Sequence, residues 1–195
     1  MIVRAFSGYN ANHGSLILPE VLKADHKWDL MTCFYGTNDA ALTNQATTIE
    51  EYSENLQIII DIARSYKIPI IIITPTWHDD ELSIVLEGKT IGSLERNRKY
   101  ADAAVAVAKK NGVEYIDLFN EFDLTKAKPA ELLIDGVHFT PRGNDVLFEA
   151  VTKVIETKFP RFAASKLPLS LLPWRDLCKD TEGKSREEIN KYLFP

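Results

Sequence analysis

Apolar and polar positions follow two different periods along the chain, and the change from one to the other predicts its elements. Continuous apolar runs of strand length occur at Leu30–Tyr35 and at Ile68–Thr74, and the second run is rich in isoleucine. Such runs are typical of strands that are covered on both faces. Shorter strands are predicted at Met1–Phe6 and at Val113–Asp117.

Helical spacing of apolar residues predicts the helices between and after these strands. The segment His13–Ala24 contains Pro19, which predicts a kink or a later start. The clearest helix runs from Thr48 to Tyr66, because Thr48 and Glu51 have the spacing of a capping box. The other predicted helices are Ser93–Asn111, with Gly112 at its C-cap, Thr140–Lys158, and a short last one capped by Ser185 and Glu188.

Alternating strands and helices imply a parallel sheet with helices on both faces. We therefore predict a three-layer α/β/α domain over residues 1–160, followed by a tail, residues 161–195, that packs on its surface. A length of 195 residues suits one such domain. In sheets of this kind, functional residues collect in the loops at the carboxyl ends of the strands.

Charge and composition exclude several classes of protein. The net charge of −5, without a cluster of Lys and Arg, argues against nucleic-acid binding. No stretch reaches the roughly 18 apolar residues of a membrane span, and the N-terminus does not resemble a signal peptide. The two cysteines, Cys33 and Cys178, make no disulfide framework, so we expect a reduced cytoplasmic protein. Self-association as a homo-oligomer is left open.

Two short polar motifs directly follow predicted strands. The first, Phe6–Asn10 (FSGYN), contains Gly8, which lets the backbone N–H approach a ligand closely. The second, Phe34–Asp39 (FYGTND), contains Asn38, whose side-chain amide can donate to an oxygen. Each motif alone is also ordinary turn chemistry.

A third motif, Asp135–Pro141 (DGVHFTP), precedes the last long helix. An aspartate three residues before a histidine can accept the imidazole Nδ1–H, which fixes the tautomer and leaves Nε2 to act as a general base. The alternative is an aspartate that caps its own turn beside a surface histidine. Gly143 extends the pattern to D-x-x-H-x-x-P-x-G, which makes this motif the most specific of the three.

Together the three motifs resemble conserved blocks of the SGNH hydrolase family, also called GDSL esterases. The segment Leu167–Asp176 resembles one that is typical of the isoamyl acetate-hydrolysing esterase-like branch. The resemblance implies a flavodoxin-like fold. It also implies a serine esterase that cleaves small carboxylic esters through an acyl-enzyme, without a metal or cofactor. It also implies the site residues: Gly8 and Asn38 as oxyanion donors, His138 as general base and Asp135 as the acid that orients it.

The nucleophile of that family lies in a Gly-Asp-Ser motif after the first strand. No Gly-Asp-Ser occurs in this sequence, and only seven residues precede Gly8. We therefore expect the chain to begin at the second strand of the family, to lack the nucleophile and to turn over esters very weakly. Ser7 lacks the strand-to-helix elbow that presents a nucleophile, and Ser15 has no supporting sequence context. An incomplete gene prediction or a partial chain explains this better than a pseudoenzyme, which would have to repair the sheet.

The long polar connection Pro75–Gly92 carries further candidates. We interpret its charged run, His78–Glu81, as a solvated loop rather than a metal site. Trp77 and Phe139 are predicted to line an acyl or alcohol pocket.

Two functions from other classes compete with the esterase. A non-catalytic binding module of the same fold would keep the cleft without the chemistry. A flavodoxin-like nucleotide binder is disfavoured because no Gly-rich phosphate loop follows any predicted strand. A rise in the melting temperature of the protein on addition of a nucleotide would support this alternative.

Overall fold

A computed structural model describes residues 2–24, 27–82, 85–86, 89–167 and 182–193. The chain divides into two compact units, Met1–Val154 and Ile155–Pro195. Two features noted in the sequence lie outside the described residues, namely Cys178 and most of the segment Leu167–Asp176.

The strands are β1 (Met31–Phe34), β2 (Ile70–Ile73), β3 (Val85–Leu86), β4 (Lys89–Thr90) and β5 (Glu114–Ile116). Strands β1, β2 and β5 form a parallel sheet in the order β1-β2-β5, while β3 and β4 form a small antiparallel pair. Cys33 lies opposite Ile72, which in turn lies opposite Tyr115. Every residue of the central strand β2 is buried, which accounts for its continuous apolar sequence.

The strand predicted at Met1–Phe6 does not form in the described part of this segment, residues 2–6. Its large apolar side chains are exposed, and Val3 retains 67 % of its accessible surface. An apolar β-like pattern becomes a strand only where a neighbouring strand offers backbone partners. Among the described residues, β1 pairs with β2 alone, and no strand lies beside this segment to supply backbone partners.

The helices are α1 (Ala11–Ala24), α2 (Ile49–Ser65), α3 (Leu94–Asn111), α4 (Leu118–Thr125), α5 (Pro129–Leu132), α6 (Pro141–Lys158) and α7 (Arg186–Leu193). The predicted capping box of α2 is confirmed, since Thr48 Oγ1 accepts the Glu51 N–H and the Glu51 carboxylate accepts the Thr48 N–H. The left-handed C-cap predicted at Gly112 is confirmed as well, with φ of +62°.

Two features of the helices differ from the prediction. Helix α1 starts at Ala11, two residues earlier than expected, and continues through Pro19. Helices α4 and α5 lie between β5 and α6, where the sequence analysis predicts no helix or strand. The sequence signal for α4 is Asp117, whose side chain accepts the Asn120 N–H at the helix start.

The main core lies where α1, α2 and α3 meet one face of the sheet. Its fully buried members include Leu56, Ile60, Ala104 and Ile72, and Cys33 belongs to the same cluster. Burial, with a smaller contribution from Asp39, raises the pKa of the Cys33 thiol to about 12. Cys33 is therefore a protonated core residue.

The second unit begins within α6 and continues with the short 3₁₀ helices Pro160–Phe162 and Ala164–Lys166. The predicted last helix is present as α7, and Ser185 bonds with Glu188 at its start. None of the helices in the described part of the chain is both long and apolar enough to cross a membrane.

Candidate active site

The loop after β1 is hydrogen-bonded to the turn before α1, and this contact joins the two predicted oxyanion donors. Asn38 Nδ2 donates to the Tyr9 carbonyl oxygen at 2.8 Å, and Gln45 Nε2 donates to the Gly8 carbonyl oxygen at 2.7 Å. A carboxamide has two N–H donors, so Asn38 retains one beyond this bond. The structure thus brings Gly8 and Asn38 onto directly contacting segments.

Gly8 has a backbone conformation that favours glycine. Its φ is +76°, in the left-handed region, and a Cβ at this position would lie 2.8 Å from Gln45 Nε2. The absent side chain therefore serves both the turn and the close approach of the Gln45 amide.

Asp39 stabilises the contact between the loop after β1 and the start of α1. The sequence predicts no role for this residue. The residue has no accessible surface, and its carboxylate accepts the Ala11 N–H at 3.0 and 3.1 Å and the Thr47 hydroxyl at 3.0 Å. Burial raises the pKa of Asp39, and these hydrogen bonds oppose part of the increase. Asp39 thereby satisfies a backbone N–H at the start of α1 and fixes the loop that carries Asn38.

Asp135 and His138 form the pair predicted from their spacing. Asp135 Oδ2 lies 2.7 Å from His138 Nδ1, and Asp135 Oδ1 accepts the backbone N–H groups of His138 at 2.8 Å and Val137 at 3.1 Å. Partial burial alone would raise the pKa of Asp135, but the bonds from His138 and Val137 together lower it to about 2. An ionised Asp135 places the proton on Nδ1 and leaves Nε2 as the basic nitrogen of a ring that is 74 % exposed.

The turn that carries this pair is fixed by backbone contacts. Gly136 has φ of +89°, its carbonyl oxygen accepts the Asp79 N–H at 2.9 Å, and a Cβ there would lie 2.9 Å from the Asp79 carbonyl oxygen. Ile134 N–H donates to the His138 carbonyl oxygen at 2.8 Å. The position of the imidazole is therefore set by the turn as well as by Asp135.

Aromatic contacts connect the Asp135–His138 turn to the end of β1. Phe139 stacks on Phe34, the last residue of β1, with ring centroids 6.3 Å apart, and it also contacts Phe122 at 5.4 Å. Trp77 meets Phe122 edge-on at 5.7 Å. Among the described contacts none joins His138 directly to Gly8 or Asn38, and both halves of the site adjoin the carboxyl end of β1. The two predicted pocket residues, Trp77 and Phe139, belong to one aromatic cluster through Phe122.

The charged run His78–Glu81 is only in part the solvated loop predicted from sequence, since Asp80 and Glu81 are exposed and the other two residues are buried. His78 is 3 % exposed and Asp79 is 8 % exposed. His78 Nδ1 lies 2.9 Å from Asp80 Oδ1, which also accepts the Leu94 N–H at the start of α3. The run therefore anchors the loop to α3. Within the described residues, no group of three or more His, Cys, Asp or Glu side chains is placed to hold a metal ion.

Comparison with known proteins identifies the family of the chain. The model of the GDSL-like lipase/acylhydrolase family matches residues 1–146. The chain belongs to this family. An isoamyl acetate-hydrolyzing esterase 1 homolog from Homo sapiens is 32 % identical over 193 residues, which cover 90 % of this chain and 74 % of that protein. The isoamyl acetate-hydrolyzing esterase of Saccharomyces cerevisiae is 30 % identical over 187 residues, 92 % of this chain and 79 % of its own length.

Solved structures support the α/β fold independently. A lipase/acylhydrolase from Enterococcus faecalis superposes with a TM-score of 0.65 at 24 % identity, covering 76 % of this chain and 71 % of that chain. An acetylxylan esterase from Geobacillus stearothermophilus superposes with a TM-score of 0.62 at 18 % identity, covering 78 % and 70 %. Its solved forms include catalytic mutants at an aspartate and at a histidine three positions later.

Proposed function

We propose that this chain contains the oxyanion donors, general base and orienting acid of a serine esterase for small carboxylic esters. The observation that carries the proposal is the Asp135–His138 pair, with a 2.7 Å bond to Nδ1 and an exposed imidazole. The acetylxylan esterase noted above has catalytic Asp and His residues with the same spacing. Membership of a lipase/acylhydrolase family supports the same reaction class.

The proposed reaction passes through an acyl-enzyme. His138 Nε2 takes the proton of a serine hydroxyl as its oxygen attacks the ester carbonyl carbon. The N–H of Gly8 and Nδ2 of Asn38 donate to the resulting oxyanion. His138 then protonates the departing alcohol. Water, deprotonated by the same nitrogen, cleaves the acyl-serine to release the carboxylic acid, and the proton returns to the serine oxygen.

We further propose that the serine comes from a segment outside the printed residues. The printed sequence contains no Gly-Asp-Ser, and it covers 74 % and 79 % of the lengths of the human and yeast relatives. Within the described residues, the edge of β1 that faces away from β2 pairs with no strand. A strand added at that edge would end beside Asn38, because parallel strands share one carboxyl edge.

The substrate class proposed here is small esters of the acetate type. Both closely matching relatives are named for hydrolysis of isoamyl acetate. Phe139 follows His138 directly and stacks on Phe34, which places apolar surface beside the proposed base. Trp77 extends this aromatic surface, and its indole N–H is held by Asp123 at 2.8 Å. Cytoplasmic location and self-association remain predictions.

A non-catalytic binding module of the same fold is the second candidate, and the missing Gly-Asp-Ser favours it. An extended form separates the two candidates: residues 1–195 preceded by the in-frame upstream segment that carries Gly-Asp-Ser. We expect the extended form to hydrolyse p-nitrophenyl acetate, and residues 1–195 alone to be weaker by orders of magnitude. Loss of the serine in a different hydrolase cost about 10⁶ in kcat.

Absence of an upstream Gly-Asp-Ser in frame, together with a folded and inactive 195-residue protein, would support the binding module instead. An extended form that folds and contains the serine but does not cleave the ester would contradict the esterase proposal.

A further inference from the structure

Gln45 has no role in the proposed reaction, yet its side chain is bonded to the backbone of Gly8. Its Nε2 donates to the Gly8 carbonyl oxygen at 2.7 Å, across 37 residues of sequence. The same nitrogen occupies the space next to Gly8 where a Cβ would project. The contact therefore fixes one peptide group, and a side chain at position 8 would have to displace the Gln45 amide.

Gln45 is itself held in place by two neighbours. The Thr43 hydroxyl lies 3.1 Å from Gln45 Oε1, and Asn10 Nδ2, in a residue that is 5 % exposed, donates to the Gln45 backbone carbonyl at 2.8 Å. The orientation of the Gln45 amide is unambiguous because a carbonyl oxygen can only accept, so the NH₂ group must face Gly8. A preorganised donor loses little conformational freedom when it forms its bond.

The N–H and the carbonyl group of Gly8 are coupled through the φ and ψ angles of that residue. Glycine samples both signs of φ with little penalty, so an unrestrained Gly8 would direct its N–H in several directions. The bond from Gln45 selects one carbonyl direction, and the bond from Asn38 to the Tyr9 carbonyl fixes the next peptide. An oxyanion donor is effective only when its direction is set before the reaction.

We propose that Gln45 is a positioning residue that holds Gly8 with its N–H directed at the oxyanion, an inference that rests on the proposed function. Gln45 does not touch the reacting atoms. Its contribution belongs to the transition state, in which negative charge develops on the carbonyl oxygen, and much less to the bound ester. Removing it should therefore lower kcat and leave KM and the pH dependence of kcat unchanged.

The main test replaces Gln45 by methionine, which has a similar shape but no donor, in the extended form. The matched control is Gln57→Met, because Gln57 is also half-buried but bonds to Asp61 and Asn111 away from this site. Gln45→Met should lower kcat for p-nitrophenyl acetate about tenfold, less than the loss of a whole donor, because the Gly8 N–H remains. The control should retain the activity of the parent protein.

Thr43→Val provides a second variant if Gln45→Met does not fold. It removes the hydroxyl partner of Gln45 and leaves the glutamine in place, so a smaller loss of kcat at unchanged KM is expected. An unchanged kcat in a folded Gln45→Met protein would overturn the inference, and so would a change confined to KM.

A readout without catalysis separates failure of this inference from failure of the proposed function. In the 195-residue protein, loss of the bond to the Gly8 carbonyl should change the amide ¹⁵N and ¹H chemical shifts of Gly8 and Tyr9 in Gln45→Met and leave them unchanged in Gln57→Met. If the extended form proves inactive, the esterase proposal fails, and these shifts alone decide whether Gln45 holds Gly8. Unchanged shifts would overturn the inference.

Discussion

The Asn38 side chain donates to the Tyr9 carbonyl oxygen at 2.8 Å, although 29 residues separate the two along the chain. The bond places one predicted oxyanion donor against the residue that follows the other, Gly8. The loop after β1 and the turn before α1 therefore form one unit, and displacement of either should disturb both donors.

Asn38 provides the most direct test of the oxyanion assignment. Asn38→Ala in the extended form should lower kcat for p-nitrophenyl acetate by about 10² to 10³, the usual cost of losing one oxyanion donor. Asn55→Ala is a suitable control, since Asn55 lies within α2, donates to the Glu51 carbonyl oxygen of the same helix and accepts the Ser15 hydroxyl of α1. Equal activity in Asn38→Ala and the parent protein would remove Asn38 from the mechanism.

The Asp135–His138 pair predicts two variants of different severity. His138→Ala should abolish turnover, because no other base would remain beside the serine. Asp135→Asn should lower kcat by about 10² to 10⁴, since an amide no longer favours the Nδ1–H tautomer. Steady-state rates with a short p-nitrophenyl ester measure both, and full activity in either variant would overturn the assigned roles.

The pKa of Asp135 also predicts how the pair responds to acid. Because its folded value of about 2 lies below the ordinary 3.8, ionised Asp135 stabilises the fold above pH 3.8, and this contribution is lost as the pH falls toward 2. Between about pH 4 and 9 the residue stays ionised, so no step in the kcat profile should come from it. Urea unfolding of the parent and Asp135→Asn from pH 2 to 7 should show their difference in free energy shrinking with acid. A constant difference would argue against this bond in solution.

Asp39 should show the opposite dependence on pH. Burial raises its pKa in the folded protein, so the folded state binds a proton more readily than the unfolded chain. Above the ordinary value of 3.8, this contribution to stability should fall as the pH rises through the folded pKa. Relative to Asp39→Asn, the parent protein should therefore gain free energy of unfolding as the pH is lowered through this window.

Removal of the Asp39 side chain has a separate cost. Asp39→Ala should lower the free energy of unfolding by about 1 to 3 kcal/mol at pH 7, because the Ala11 N–H and the Thr47 hydroxyl lose their acceptor in a buried place. Chemical denaturation measures this loss. An unaffected midpoint would mean that water reaches these groups readily.

The sequence predicted those features whose causes are local. The capping box of Thr48, the buried isoleucines of β2 and the Asp135–His138 contact all depend on residues within a few positions of one another. The hydrogen bonds of Asp39 and Gln45 are not predicted from the sequence, because their partners lie 28 and 37 residues away and no local pattern indicates such bonds.

The errors also have physical causes. The segment Met1–Phe6 has strand-like residues, but strand formation depends on a partner that no local pattern supplies. Helix α4 has only eight residues, too few for a clear helical period. The prediction of a solvated loop is wrong for His78 and Asp79, because the sequence shows that these residues are polar but does not show how they pack.

Two left-handed glycines test whether the catalytic turn depends on close packing. A Cβ at Gly136 would meet the Asp79 carbonyl oxygen at 2.9 Å, whereas a Cβ at Gly112 would have no neighbour within 4 Å. Gly112→Ala should cost about 1 to 2 kcal/mol from backbone strain, and Gly136→Ala about 1 to 3 kcal/mol more. Urea unfolding of both variants gives the comparison, and Gly136→Ala alone should also lower esterase activity in the extended form. Equal stability of the two would show that the turn is free to move.

The central claim is that Gly8, Asn38 and the Asp135–His138 pair act around one oxyanion. A crystal structure of the extended form bearing a tetrahedral phosphonate on the serine tests it most directly. The account predicts one phosphonate oxygen at about 3 Å from both Gly8 N and Asn38 Nδ2, with His138 Nε2 within hydrogen-bond reach of the serine or leaving-group oxygen. An adduct whose oxygen is bound by other groups, with His138 out of reach, would contradict it.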